Sequence, residues 1–313
     1  MLRSMVLLAA AAMGAVTVAV MAAETAAPAP VGDRLLMRTA AGPAFAYAHG
    51  GTLVKPYVKE LFSPAGVNVL LDSPSDHIHH HGLMFALAAD GVDFWAEQKV
   101  FGRQRSVRFG ELSPRRDGAT LLSGLAETLD WIAPKDPKPL VREAREVEVA
   151  ADPALGATLV TWRSRVEAAP GRASVKLTGS HYFGLGMRFI RSMDNAGPFF
   201  TAKGPVDGEV VRGDERLTPG TWCAYTAAAD GKPVTVAMFD HPKNPRPALW
   251  FTMGKPFAYL AATMNLHREP MTLEAAKPLS LVYGVAVWDG KVEAAAIEKL
   301  YRRWLDLAAP TNP

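Results

Sequence analysis

Past an apolar N-terminal stretch, the chain falls into short apolar or alternating runs broken by turn residues. Residues 45–49, 52–61 and 67–71 read as strands. Residues 83–89 lead through Asp90-Gly91, a hairpin signal, into 92–98. Residues 104–112 and 119–129 flank the turn Arg115-Arg116-Asp117-Gly118. Residues 142–150 alternate charged with small or apolar side chains, and 155–166 alternate more regularly. Residues 234–239, 249–253, 257–263 and 279–287 are β-branched or aromatic, with turns between them. The 26 glycines and 24 prolines supply the punctuation. Strands at this spacing, without long helices between them, predict an all-β, antiparallel β-sandwich. The tail differs. Val292, Ile297, Leu300, Tyr301, Trp304 and Leu305 recur at helical spacing, which predicts a C-terminal amphipathic helix packed against the sandwich. A partner-binding helix is the alternative.

Composition narrows the function classes. The chain has 313 residues, 49% hydrophobic and 21% charged, with a net charge of +3. That suffices for a large core. Without a long basic run, nucleic acid is not an expected partner. The lone Cys223 excludes an intrachain disulfide and a cysteine-based zinc site. Arg3, the apolar run 5–21 and small residues at Val20, Ala22 and Ala23 read as a signal peptide over 1–23. Residues 24–34 then read as a flexible segment and 35–309 as a single β-sandwich domain. The expected location is periplasmic or secreted, with no stable membrane insertion after cleavage. An uncleaved anchor is the alternative, because the run approaches the ~20 residues of a spanning helix.

The chemistry concentrates at 77–81. His77, His79, His80 and His81 are four of the eight histidines. Imidazole binds metals and moves protons near neutral pH. On a strand, 77, 79 and 81 would share one face, and two such rings would chelate one ion with a third ligand from elsewhere. In a loop, facing does not follow from sequence. A second constellation is Asp240-His241-Pro242 at the end of an apolar run, where Asp orients an imidazole or completes a metal site. A third is His181 to Arg188, whose two glycines mark a bulge or a close backbone approach and whose arginine offers a planar fork to substrate. His267 stands near Glu269 and Glu274, both candidate bases. Trp95, Trp222 and Trp250 are candidates for sugar stacking or for the core. No phosphate loop, nucleophile elbow or His-Glu-x-x-His helix occurs, so neither nucleotide nor flavin is expected.

Lys55-Pro56-Tyr57, residues 73–83, Gly91-Val92-Asp93-Phe94-Trp95, residues 183–188, Gly220-Thr221-Trp222-Cys223 and residues 239–246 occur in an order that resembles the DUF6807, or "PmoA-like", family. The resemblance covers roughly residues 35–290. Two departures stand out. Val58-Lys59-Glu60 lacks a histidine the family often has there, and His81 stands where the family tends to have an arginine. A methane oxygenase subunit needs several spanning helices, which the mature chain lacks. The resemblance implies instead a supersandwich like that of the galactose mutarotases, and a small-molecule sugar or oligosaccharide substrate. The expectation is a lyase, glycoside-cleaving enzyme or epimerase. Its expected catalytic residues are His79, His80 and His241, and its expected substrate contacts Arg188, His181, Trp95 and His267. A divalent metal ion is the candidate cofactor, on His77, His79, His80, Asp240 and His241. The alternatives are a non-catalytic sugar-binding module of the cell envelope and a purely structural envelope protein.

Overall fold

The computed structural model describes residues 29–31, 34–50 and 53–309. The expected signal peptide lies outside them. Alternating apolar positions build two large antiparallel sheets that face each other. The first holds ten strands, centred on Tyr57–Leu61, Leu83–Ala86, Gly184–Arg188, Tyr259–Thr263 and Leu249–Met253. The second holds nine, including the long neighbours Arg103–Asp117, Thr120–Ile132, Pro139–Ala151, Thr158–Ala168 and Leu279–Asp289. A small four-stranded sheet caps one side. Side chains from both large sheets share one core, with Phe45, Phe85 and Leu260 of the first meeting Trp131, Val147 and Val285 of the second. The architecture is all-β and antiparallel, a sandwich with one C-terminal helix. No described helix is long and apolar enough to cross a membrane.

The helix Ala294–Ala308 packs on the outer face of the second sheet. Ile297, Leu300, Tyr301, Trp304 and Leu307 form its buried stripe against Trp222, Phe239 and Trp288. The spacing seen in the sequence therefore buries against the sandwich. Some boundaries move. Residues 67–71 make only isolated bridges, such as Leu70 with Phe189. Residues 83–89 split between two sheets, as Leu83–Ala86 and Ala88–Ala89. Ala29–Val31 pairs with Arg34 to Leu36, where a flexible segment is expected from sequence.

The sandwich centre is not wholly apolar. Arg145 is fully buried and spreads its guanidinium over Trp162, 4.7 Å from the ring centre. It donates to Glu143 at 2.9 Å, to Gln104 at 2.9 Å, to the Pro56 carbonyl at 2.8 Å and to Tyr47 at 3.3 Å. Glu143 also accepts from Trp131 at 3.0 Å and Ser164 at 2.6 Å. Tyr47 belongs to the first sheet and Arg145 to the second, so this network pins the sheets in register. A buried charge stripped of its partner costs ~3–5 kcal/mol. Arg145→Met is therefore expected to lower unfolding free energy by about that much, and Glu143→Gln/Arg145→Met by less. Urea denaturation checks this; equal loss in both variants would refute the pairing argument.

Candidate functional site

The chain leaves the first sheet after Leu61 and returns at Leu83. Between them the histidine segment forms a pinched loop rather than a strand. Pro74 accepts from the His77 amide at 2.9 Å, and His77 accepts from the His80 amide at 2.9 Å, giving two successive turns. Ser73 donates its amide to the His80 carbonyl at 2.9 Å, and Asp72 pairs with His81, closing the base. Ile78 points outward at 51% exposure, while His79 and His80 turn inward. Gly82 ends the loop with φ +31°, where a β-carbon would meet the Val58 carbonyl at 2.2 Å. Only glycine fits there.

The loop walls a cavity of about 630 Å³. His77, His79 and His80 line one side. Trp95, Tyr182, Phe251, Phe257 and Tyr259 supply aromatic surface, and Asp76, Arg212, Asp214, Glu215 and Lys255 supply charge. The rings of His77 and His80 stack at 4.6 Å, and His79 meets His80 edge-on at 4.7 Å. Trp95 lies 4.9 Å from His79 and 5.2 Å from His80, placed by Asp93, whose carboxylate accepts from the Trp95 amide at 2.7 Å. Nδ1 of His79 and of His80 is buried with no hydrogen-bond partner, while Nδ1 of His77 lies 3.2 Å from the Asp76 carboxylate. Orphaned buried polar atoms cost ~1–3 kcal/mol each, and natural folds keep few of them. Burial, reinforced by the neighbouring imidazoles, pulls His79 down to about 4 and His80 to about 2. Both rings are therefore neutral at physiological pH.

His81 has the opposite role. Its Nδ1 lies 3.0 Å from Asp72 and its Nε2 2.8 Å from Glu97. Its ring stacks on Tyr57 at 4.4 Å. Burial alone would lower its pKa, but the hydrogen bonds to the two carboxylates raise it. Glu97 also takes Lys55 Nζ at 2.6 Å, and despite burial these two cations hold it down to about 2. His81 is thus a doubly clamped imidazolium behind the cavity wall.

Over residues 35–302 the chain matches a family described as a family of unknown function, DUF6807. This protein is a member of the DUF6807 family. No curated protein matches it.

In this DUF6807 chain the expected site residues separate into four groups. His77, His79, His80 and Trp95 meet at the cavity. His181 and His267 form a separate pair, rings 5.9 Å apart, with His181 Nε2 held 3.0 Å from Glu215. Neither of the two lines the cavity, although Tyr182 and Glu215 beside them do. Arg188 does not grip a substrate in this arrangement. It is buried beneath Phe257, 3.8 Å from the ring centre, and donates to the Ala258 carbonyl at 3.3 Å. The strand Gly184–Arg188 runs through the middle of the first sheet, which sends this side chain under the floor.

Asp240 and His241 are the main correction. They end the strand Lys232–Asp240 of the second sheet, next to the helix. Asp240 accepts from Asn244 at 2.7 Å and from the Ala248 amide at 2.8 Å, and burial pushes it up to about 6. His241 sits edge-on to Trp304 at 5.7 Å and accepts from the Lys243 amide at 3.1 Å. They knot a loop under the helix and share no contact with the histidine loop. The expected ligand set is therefore split between two sites. Among the described residues no three His, Cys, Asp or Glu side chains are arranged to share a metal ion.

Glu269 and Glu274 are exposed. Glu274 pairs with Lys277, and Arg246 lies 3.8 Å from Glu269. Trp222 and Trp250 are core residues. Gly184 and Gly186 make room for the Ala262 carbonyl and the Tyr259 ring, so their close approach is to protein. Sequence reasoning gave no role to Tyr182, although it lies within the His181 to Arg188 constellation, and missed Phe251, Phe257 and Tyr259, which carry no motif. The one available signal was alternation along 257–263, which puts Phe257 and Tyr259 on one face.

The neutral rings give a pH signature. An unfolded histidine titrates near ~6.5. Below that pH the unfolded chain takes protons that folded His79 and His80 refuse, so stability falls as pH drops toward about 4. His81 has the reverse sign, since its raised pKa favours the fold at low pH and the benefit fades as pH rises through it. The melting temperature of the wild type is expected to fall between pH 6.5 and 4, and less steeply in His80→Phe. Superimposable curves from differential scanning calorimetry would show that His80 is not held neutral.

Proposed function

We propose that this DUF6807 protein is an exported carbohydrate-active enzyme that transfers a proton beside a carbonyl or anomeric carbon. Export rests on the apolar leader of the sequence. The carrying observation is the pair of neutral, unpartnered imidazoles, His79 and His80, in an aromatic-walled cavity. Its volume lies within the range that holds small ligands. Sugars offer apolar C–H faces to aromatic rings and hydroxyls to polar groups, and Trp95, Phe257 and Tyr259 stand beside His80.

The carboxylates of the cavity are engaged. Asp214 accepts from the amides of Gly254 and Lys255 at 2.7 and 2.9 Å. Glu215 is held by His181 at 3.0 Å and Arg212 at 2.6 Å. Asp76 accepts from Arg191 at 3.1 Å. With the carboxylates held, the neutral imidazoles serve as the base in this reading. One ring takes the proton from carbon, and its neighbour, still neutral, donates an N–H to the oxygen where charge develops. Proton abstraction of this kind begins both elimination at an oxidised glycoside and epimerisation. Lyase or epimerase chemistry therefore fits better than a paired-carboxylate hydrolysis. The low basicity of both rings supports a second reading, a binding module in which the histidines only hydrogen-bond a sugar.

Turnover separates the two readings. On any sugar the wild type converts, His79→Ala and His80→Ala are expected to lower kcat by ~10²–10⁴-fold. Trp95→Ala is expected mainly to raise KM. Unchanged kcat in both histidine variants would overturn the catalytic assignment, and binding without turnover of a broad panel of keto and uronic sugars would favour the module.

A further inference from the structure

The second sheet carries a separate groove of about 740 Å³. It opens where the strands Arg103–Asp117 and Thr120–Ile132 meet the proline-rich loop at Pro134 and Pro137. Its surface is apolar below and cationic at the rim. Leu53, Phe101 and Ile132 are among the apolar lining, and Val100 stands 71% exposed at its edge. Lys99, Arg103, Arg105 and Lys135 line it too. Among the described residues Lys99, Arg103 and Lys135 make no ion pair, while Arg105 reaches Asp130 only at 3.4 Å with 57% of its side chain exposed. The groove's one acidic residue, Asp136, faces Arg172 at 3.5 Å. Such an uncompensated rim attracts anions.

One loop joins this groove to the histidine cavity. The Gly102 amide bonds the Asp93 carbonyl at 2.7 Å and closes the loop at its base. Along it, Trp95, Ala96 and Gln98 line the cavity, and Lys99, Val100 and Phe101 line the groove. The linings of the two depressions are therefore adjacent in the chain, at Gln98 and Lys99 of the same loop. From this we infer that the groove holds the continuation of an acidic oligosaccharide, one sugar unit of which occupies the cavity. The apolar floor packs the C–H faces of successive sugars, and the rim cations take their carboxylates. This names the substrate class and rests on the sugar-binding reading of the cavity.

The test uses the full chain and hexasaccharides of galacturonate, alginate and chondroitin, by calorimetry at ~0.15 M salt. Lys99→Ala/Arg103→Ala/Lys135→Ala changes exposed side chains and is expected to weaken hexasaccharide binding at least tenfold while leaving the single sugar's affinity unchanged. His79→Ala should lose turnover yet keep the groove contribution. The inference fails if no acidic hexasaccharide binds the wild type. It also fails if the triple variant binds like the wild type, or if polyphosphate of equal charge binds as tightly, which marks a mere cation patch. Groove binding without any turnover would leave this inference standing and sink the catalytic reading. Loss of turnover in His79→Ala with no effect of the triple variant would do the opposite.

Discussion

The candidate site depends on one clamped cation. His81 spans Asp72 and Glu97, and Lys55 anchors Glu97 from behind. Asp72 begins the histidine loop, and Glu97 sits in the loop that carries Trp95. The clamp therefore ties two walls of the cavity to each other, the imidazole face to the aromatic one. A charge this deep is tolerated when every donor finds an acceptor.

Beneath the loops, the sandwich provides rigidity. The Arg145 network ties opposing sheets through directional bonds, where apolar packing alone would permit sliding. The histidine loop and the Trp95 loop both spring from this framework, and their bases are closed by backbone bonds. Such loops on a stiff sheet are a common place for chemistry. The price is visible in the orphaned Nδ1 atoms of His79 and His80, which a purely structural loop would have had no reason to retain.

Neutral imidazoles and engaged carboxylates set the character of the cavity. Its lining lets a polyhydroxylated guest meet aromatic faces and hydrogen-bond donors together. Beyond Gln98 the surface turns cationic, so the molecule presents different chemistry on the two sides of a single loop.

The sequence by itself determined the strand-rich class, the C-terminal helix and the concentration of imidazole at 77–81, because period-two and helical alternation and residue clustering are local properties. It also marked Trp95. It misled at Asp240-His241 and Arg188, which have the chemistry of a site and lie elsewhere. Whether Asp240 joins His79 depends on which sheet its strand enters, and whether Arg188 reaches solvent depends on which face of a central strand it takes. Tertiary structure alone decided these, together with Phe251, Tyr259 and the lining of the basic groove. Each requires contacts between residues far apart in the chain, and no local pattern encodes the order in which strands pair.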